Sequence, residues 1–299
     1  MVSKQASAAQ IRARLHQAKR VVVKAGSNVV LDAEGYPSLG RLFGLIESLA
    51  ALRRSGRDVI LVSSGAVGLG VKRLGMGARP TTLGGTQACA AVGQGELMGI
   101  YQSGFGRMGA VCAQVLLTED DFGVPERRRN LQTTLAKLLE FGVVPVINEN
   151  DTVCTQELER VRGGRRIFGD NDKLSALVSV GLEADLLVIL SDVDGLHEAN
   201  PKTTPGAPVL STVPAITPEI EALAMGGSSR GRGGMATKLE AAKVATQAGI
   251  QVVIAPGERA GVVDQVMSGK EVGTLFLAGA RPDGNQLERL LGKSRIMNP

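Results

Sequence analysis

The chain has no tryptophan, two tyrosines and six phenylalanines in 299 residues, so it offers few of the ring platforms on which single-stranded nucleic acids stack. Its three cysteines, Cys89, Cys112 and Cys154, are odd in number and widely spaced, with only His16 and His197 to join them as soft ligands. A disulfide framework and a structural zinc are therefore not expected, and a reducing compartment, the cytoplasm, fits. No apolar run approaches the roughly 18 residues of a membrane span, and the N-terminus lacks the hydrophobic core of a secretory signal. The formal charge of +5 comes from Lys4, Arg12, Arg14, Lys19 and Arg20, in an opening stretch that contains no acid. The remainder balances to zero, so neither a basic face for nucleic acid nor a membrane partner is expected. The opening stretch is similar in composition to an organelle transit peptide; Ile11 and Leu15 at helical spacing equally suit a short helix packed on the domain.

What the chain has is glycine, 39 residues of it, and a 43% hydrophobic content sufficient for a large α/β core. β-Branched runs at 21–24, 58–62, 111–117, 143–147, 186–190 and 251–255 alternate with helical patterns at 39–54, 86–108, 127–139, 173–180, 219–225 and 235–247. Such alternation predicts right-handed crossovers and a mainly parallel sheet. A soft boundary near residue 180 divides a larger N-terminal lobe from a smaller C-terminal one. In an open parallel sheet ligands bind beyond the carboxyl ends of the strands, and Lys24, Ser64, Asn148 and Asp192 all follow such ends.

Two acidic loops about twenty residues apart flank a polar segment, residues 152–168, that reads as a hairpin or flap. They are Asn148-Glu149-Asn150-Asp151 and Gly169-Asp170-Asn171-Asp172. Downstream, Gly231-Arg232-Gly233-Gly234-Met235-Ala236-Thr237-Lys238 opens a helix; its glycines let backbone wrap a phosphate chain while the helix end and Lys238 supply positive charge. Ser63-Ser64-Gly65 offers hydroxyls and N–H groups at another helix start, an arrangement that holds anions but is also that of a plain N-cap serine. Other motifs fail on context. Gly292-Lys293-Ser294 lacks the first glycine of a P-loop, and Gly93-Gln94-Gly95 lies inside a helical pattern with no preceding strand. No HRD motif exists for a protein-kinase loop, no nucleophile elbow for a hydrolase, and His197 reads as a loop residue near a nucleotide base. The surviving pieces suit phosphoryl transfer, in which the protein contributes positioning and positive charge. Lys24 and Lys238 would flank the transferred group, Asp172 would hold them, and Mg²⁺ would bridge the donor phosphates. Asp151 would meet an ammonium and Asn171 a carboxylate, and an amino acid carries both.

The segments Val23-Lys24-Ala25-Gly26-Ser27, Ser63-Ser64-Gly65-Ala66-Val67, 144–151, 169–172, 191–196 and 233–239 occur in the order seen in the glutamate 5-kinases, and the chain resembles that branch of the amino acid kinase superfamily from about residue 20 to 277. The resemblance implies an α/β three-layer αβα sandwich with a mainly parallel central sheet, the amino acid kinase fold. One kinase domain would span 1–299, with about 1–180 binding glutamate and about 181–299 binding ATP. It also implies that Lys24, Lys238 and Asp172 are catalytic, and that Ser64, Asp151 and Asn171, with Asn148 and Asp170 close by, bind glutamate. ATP would contact Lys24, Ser191, Asp192, Arg232, Gly233, Gly234, Met235, Ala236, Thr237 and Lys238, with Mg²⁺ held mainly by the phosphates and no dedicated protein metal site. The implied activity gives glutamyl 5-phosphate, the first step of proline synthesis, with proline as feedback inhibitor and a homo-oligomer as the assembly. Only 22 residues follow Leu277, too few for the PUA domain of many bacterial members. Segments 128–131 and 191–196 are also similar to the kinase half of bifunctional pyrroline-5-carboxylate synthases. Ala25, Asn28 and Arg232 depart from the family pattern. An N-acetylglutamate kinase, an aspartokinase or a non-catalytic amino-acid sensor on this fold would differ in acceptor or turnover.

Overall fold

The computed structural model describes residues 8–153, 171–201, 203–225, 234–283, 286–287 and 290–291. Eight strands form one sheet: β1 Arg20–Ala25, β2 Asp58–Ser63, β3 Cys112–Leu117, β4 Val144–Glu149, β5 Leu186–Ser191, β6 Thr212–Val213, β7 Gln251–Pro256 and β8 Thr274–Phe276, in the order β3-β4-β2-β1-β5-β7-β8-β6. Every pairing is parallel except β7 with β8. The central strands are apolar throughout because both faces are covered. Side-chain alternation then splits them between two cores. Val21, Val23 and Ala25 join Val59 and Leu61 on one face, and Val22 joins Ile60, Val62 and Ile147 on the other.

Helices complete the three layers. On the first face lie α1 Leu39–Arg54, α2 Leu83–Arg107 and α3 Val262–Met267, which bury Ile46, Tyr101 and Val266 among others. On the second lie α4 Pro125–Glu140, α5 Asn171–Gly181 and α6 Met235–Gln247, contributing Leu135, Leu177 and Ala242. The β2–α2 connection holds a further helix, α7, Ala66–Arg73. The mainly parallel sheet expected from the alternation and the sandwich implied by the resemblance are thus present, with differences at short elements. Residues Ser27–Val30 form one helical turn, and neither this turn nor β6 and β8 were foreseen.

The opening stretch packs on the domain where it is described. Ala8–Ala13 is helical and Leu15 is buried. Arg12, also buried, donates to the carbonyls of Ser211 (2.6 Å), Val272 (3.1 Å) and Lys270 (3.2 Å), so its charge satisfies backbone at the far edge of the sheet and is not presented to a partner. Among the described residues no helix is long and apolar enough to cross a membrane.

Candidate active site

A cavity of about 250 Å³ opens at the carboxyl ends of β1, β2, β4 and β5. Lys24, Ser64, Asn148, Asp151, Asn171, Ser191, Asp192 and Lys238 line it, so the structure brings the residues from both halves of the sequence to one rim. Asp170, Arg232 and Gly233 lie outside the described residues, as does the segment from 154 to 168; Thr152 and Val153 form a turn.

The floor is built by strand parity. Lys24 has the same parity as Val22, so it points to the face on which α5 and α6 pack. Those helices meet there with their N-terminal turns adjacent. Asp172, in the first turn of α5, has no exposed surface and lies beneath the cavity. Its Oδ1 is 2.5 Å from Lys24 Nζ, and its Oδ2 is 3.4 Å from Lys238 Nζ and accepts from Thr237 Oγ1 at 2.9 Å. Burial opposes ionisation of this carboxyl, but the two ammonium groups and the Thr237 hydroxyl outweigh it and hold the pKa below the usual carboxylate value. Thr237 therefore serves Asp172. Gly234, the N-cap of α6, supplies no side-chain hydrogen bond to the first N–H groups of the helix.

Asp192, just past β5, is the carboxylate nearest the C-terminal half. Partial burial disfavours its charge, yet hydrogen bonds from Ser191 Oγ (2.9 Å) and Asn28 Nδ2 (2.7 Å) lower its pKa. Asn28, noted only as a departure in the sequence, thus joins the β1 loop to the β5 loop.

At the other end, Gly65 begins α7 in a left-handed conformation (φ 110°), and a Cβ there would stand 2.8 Å from Val30 Cγ1. The turn aims Ser64 Oγ at Asn171 Nδ2, 2.9 Å away. Asn171 Nδ2 also faces the Ser63 carbonyl at 3.2 Å and Asn148 Oδ1 at 2.9 Å. Its donors are thus engaged within the protein, where the sequence reading gave them to a substrate carboxylate. Arg79 and Glu149 also line the cavity and were missed. Arg79 sits in a loop with no periodic signal, and Glu149 was read only as part of an acidic loop. His197 is not in the cavity wall; its ring pairs with Asp194 Oδ1 and the Ala207 carbonyl, both at 2.7 Å.

A family model described as the amino acid kinase family matches residues 19–256. Glutamate 5-kinase of Pelobacter propionicus is 49% identical over 87% of this chain and 68% of that protein. Glutamate 5-kinase of Listeria innocua is 46% identical over 89% of this chain and 95% of its own length. Among solved structures, the UMP kinase from Bacillus anthracis superposes with a TM-score of 0.55 at 16% identity, covering 88% of this chain and 97% of that one, which is a likeness of fold. The chain belongs to the amino acid kinase family, and within it to the branch of the glutamate 5-kinases.

Proposed function

We propose that the protein transfers the γ-phosphoryl group of ATP to the side-chain carboxylate of L-glutamate, giving L-glutamyl 5-phosphate, the first step of proline biosynthesis. The observation that carries this reading is the buried Lys24–Asp172–Lys238 triad. One carboxylate holds two ammonium groups, leaving a formal net charge of +1 at the cavity floor. The charge that spreads over a phosphoryl group in flight needs such a fixed positive environment, worth most where water is excluded. ATP would lie over the start of α6, its phosphates on the first N–H groups of that helix and its donor end between the lysines, with Ser191 and Asp192 beside it.

The acceptor would occupy the part of the cavity lined by Ser64, Asn148, Asp151 and Asn171. On this reading residues to about 180 hold glutamate and 181–299 hold ATP, and the active centre forms across β1, which pairs with β2 on one side and β5 on the other. On the same reading Asp170 stands close to glutamate, and Arg232 and Gly233 belong to the segment that contacts ATP, where Arg232 takes the place of the family's small residue. The described carboxylates of the wall, Glu149, Asp151 and Asp192, are spread along it and form no cage. Mg²⁺, which keeps water and phosphate ligands, would be held mainly by the donor phosphates, with Asp192 beside them, and when bound would neutralise their charge.

Turnover tests this reading. ADP release should depend on glutamate and be far smaller with aspartate, N-acetylglutamate or carbamate. A rate indifferent to glutamate would overturn the assignment. Inhibition by proline belongs to the same proposal, since proline carries the same α-ammonium and carboxylate groups and would compete for the acceptor end. Kinetics at fixed ATP should show proline competitive with glutamate; inhibition that glutamate cannot relieve would place the effect elsewhere.

A further inference from the structure

Gly93-Gln94, a glycine motif with no phosphate chemistry around it, lies inside the 25-residue helix α2 and reaches the acceptor end of the cavity from outside its wall. A Cβ at Gly93 would stand 1.8 Å from the Ala66 carbonyl oxygen and 2.5 Å from the Gly70 nitrogen. The missing side chain is what lets α2 lie against α7. That approach carries Gln94 to Asn148, whose Nδ2 donates to Gln94 Oε1 at 2.8 Å.

One backbone group then orients three amides. The Glu149 N–H donates to Asn148 Oδ1 at 2.9 Å, which fixes that atom as the oxygen. Asn148 Nδ2 must therefore face Gln94, and Asn171 must turn its own Nδ2 toward Asn148 Oδ1. The two hydrogens of Asn171 Nδ2 already serve three acceptors. Its Oδ1 is buried without a hydrogen-bond partner among the described residues, so what this wall residue has left to offer is acceptance. Gln94 Nε2 is likewise buried and without a partner among the described residues. An apolar side chain here would remove that orphaned donor but leave Asn148 Nδ2 without its acceptor.

We infer that Gln94 is a positioning residue: its Oε1 holds Asn148, and through it Asn171, so that the Asn171 oxygen remains for the protonated amine of the substrate. The inference rests on the amino-acid acceptor reading above. It makes Gln94 a determinant of selectivity for a free amine over a bare dicarboxylate, although Gln94 itself touches no substrate.

The test compares glutamate with glutarate, the same dicarboxylate without the amino group. KM for glutamate, KM for ATP and the inhibition constant of glutarate would be measured for the unsubstituted chain, Gln94→Leu and Gln94→Glu. Gln94→Leu should raise the glutamate KM roughly tenfold or more, the scale of a hydrogen bond to a charged group. The ATP KM and the glutarate constant should move less than about twofold by the same argument, because neither ligand uses the amine contact. Gln94→Glu keeps an oxygen facing Asn148 Nδ2 and should return the glutamate KM toward the original value. Equal losses for glutamate and glutarate, or an unchanged glutamate KM in Gln94→Leu, would overturn the inference. If Gln94→Leu does not fold, Gln94→Met, of glutamine's length and without the acceptor, bears the same expectation. Glutamate-dependent ADP release by the unsubstituted chain separates the two levels: without it the acceptor reading falls and takes this inference with it, and with it the variants alone decide.

Discussion

Lys24 Nζ stands 2.5 Å from Asp172 Oδ1, between side chains that expose 5% and none of their surface. The second oxygen of the same carboxylate serves Lys238 and Thr237, so one side chain fixes two cations from distant parts of the chain. Two buried ammonium groups would otherwise repel each other in a medium that screens poorly.

Removing that carboxylate should therefore unsettle the fold as well as the chemistry. Asp172→Asn is expected to cost about 3–5 kcal/mol, the range for breaking a buried pair and leaving its partners uncompensated. Because the folded pKa of Asp172 lies below its unfolded value, its contribution is present above the ordinary carboxylate range and fades as pH falls through the depressed value. Urea unfolding across acidic pH should show a shallower acid limb in the variant. An unchanged midpoint and limb would mean that the lysines are held by something else.

The lysines themselves should matter in the transition state more than in binding. Lys24→Ala and Lys238→Ala should each lower kcat by roughly 10² or more, the scale seen when a single electrostatic donor is lost. ADP release at saturating substrates, with circular dichroism as the check on folding, measures this; near-normal kcat would remove the residue from the mechanism.

Asp151 lines the cavity, at the end proposed for the acceptor. Asp151→Asn should raise KM for glutamate far more than KM for ATP, since it withdraws charge from one substrate alone. Parallel increases in both constants would indicate a role in lobe position or in metal binding.

Two nearby glycines give a matched pair. At Gly93 a Cβ would collide with the Ala66 backbone, whereas at Gly95 nothing lies within 4 Å. Gly93→Ala should destabilise by about 1–3 kcal/mol and raise the glutamate KM as α2 is pushed off. Gly95→Ala should be stabilising by about 0.4–1 kcal/mol, through the unfolded chain. Thermal melting of the two variants decides, and similar melts would mean that the close approach of α2 to α7 is easily relaxed.

Much of this was legible in the sequence because the chemistry sits where apolar runs stop. Lys24, Ser64, Asn148 and Asp192 each mark the end of a buried strand, and β-branched runs bounded by glycine announce such strands well. Elements of two to four residues, such as β6, β8 and the turn at Ser27–Val30, are too short to show a period. The partners of Asn171 were hidden for a different reason. Residue type says that an amide is present, but which end it offers depends on the Glu149 N–H and on Gln94, which arrives from a helix interior through a contact between glycine and backbone. Arg79 was invisible because a loop arginine followed by proline has no pattern to read.

The hydrogen bonds of Arg12 have a temporal meaning. The carbonyls that it holds belong to residues 199 to 260 positions further along, on the segments bordering β6 and β8. The helix Ala8–Ala13 thus cannot complete these contacts until β6 and β8 have been synthesised and have paired. Contacts of such sequence separation form late, after the loops between them have closed. The docking of Arg12 is therefore a marker of a paired β6–β8 edge.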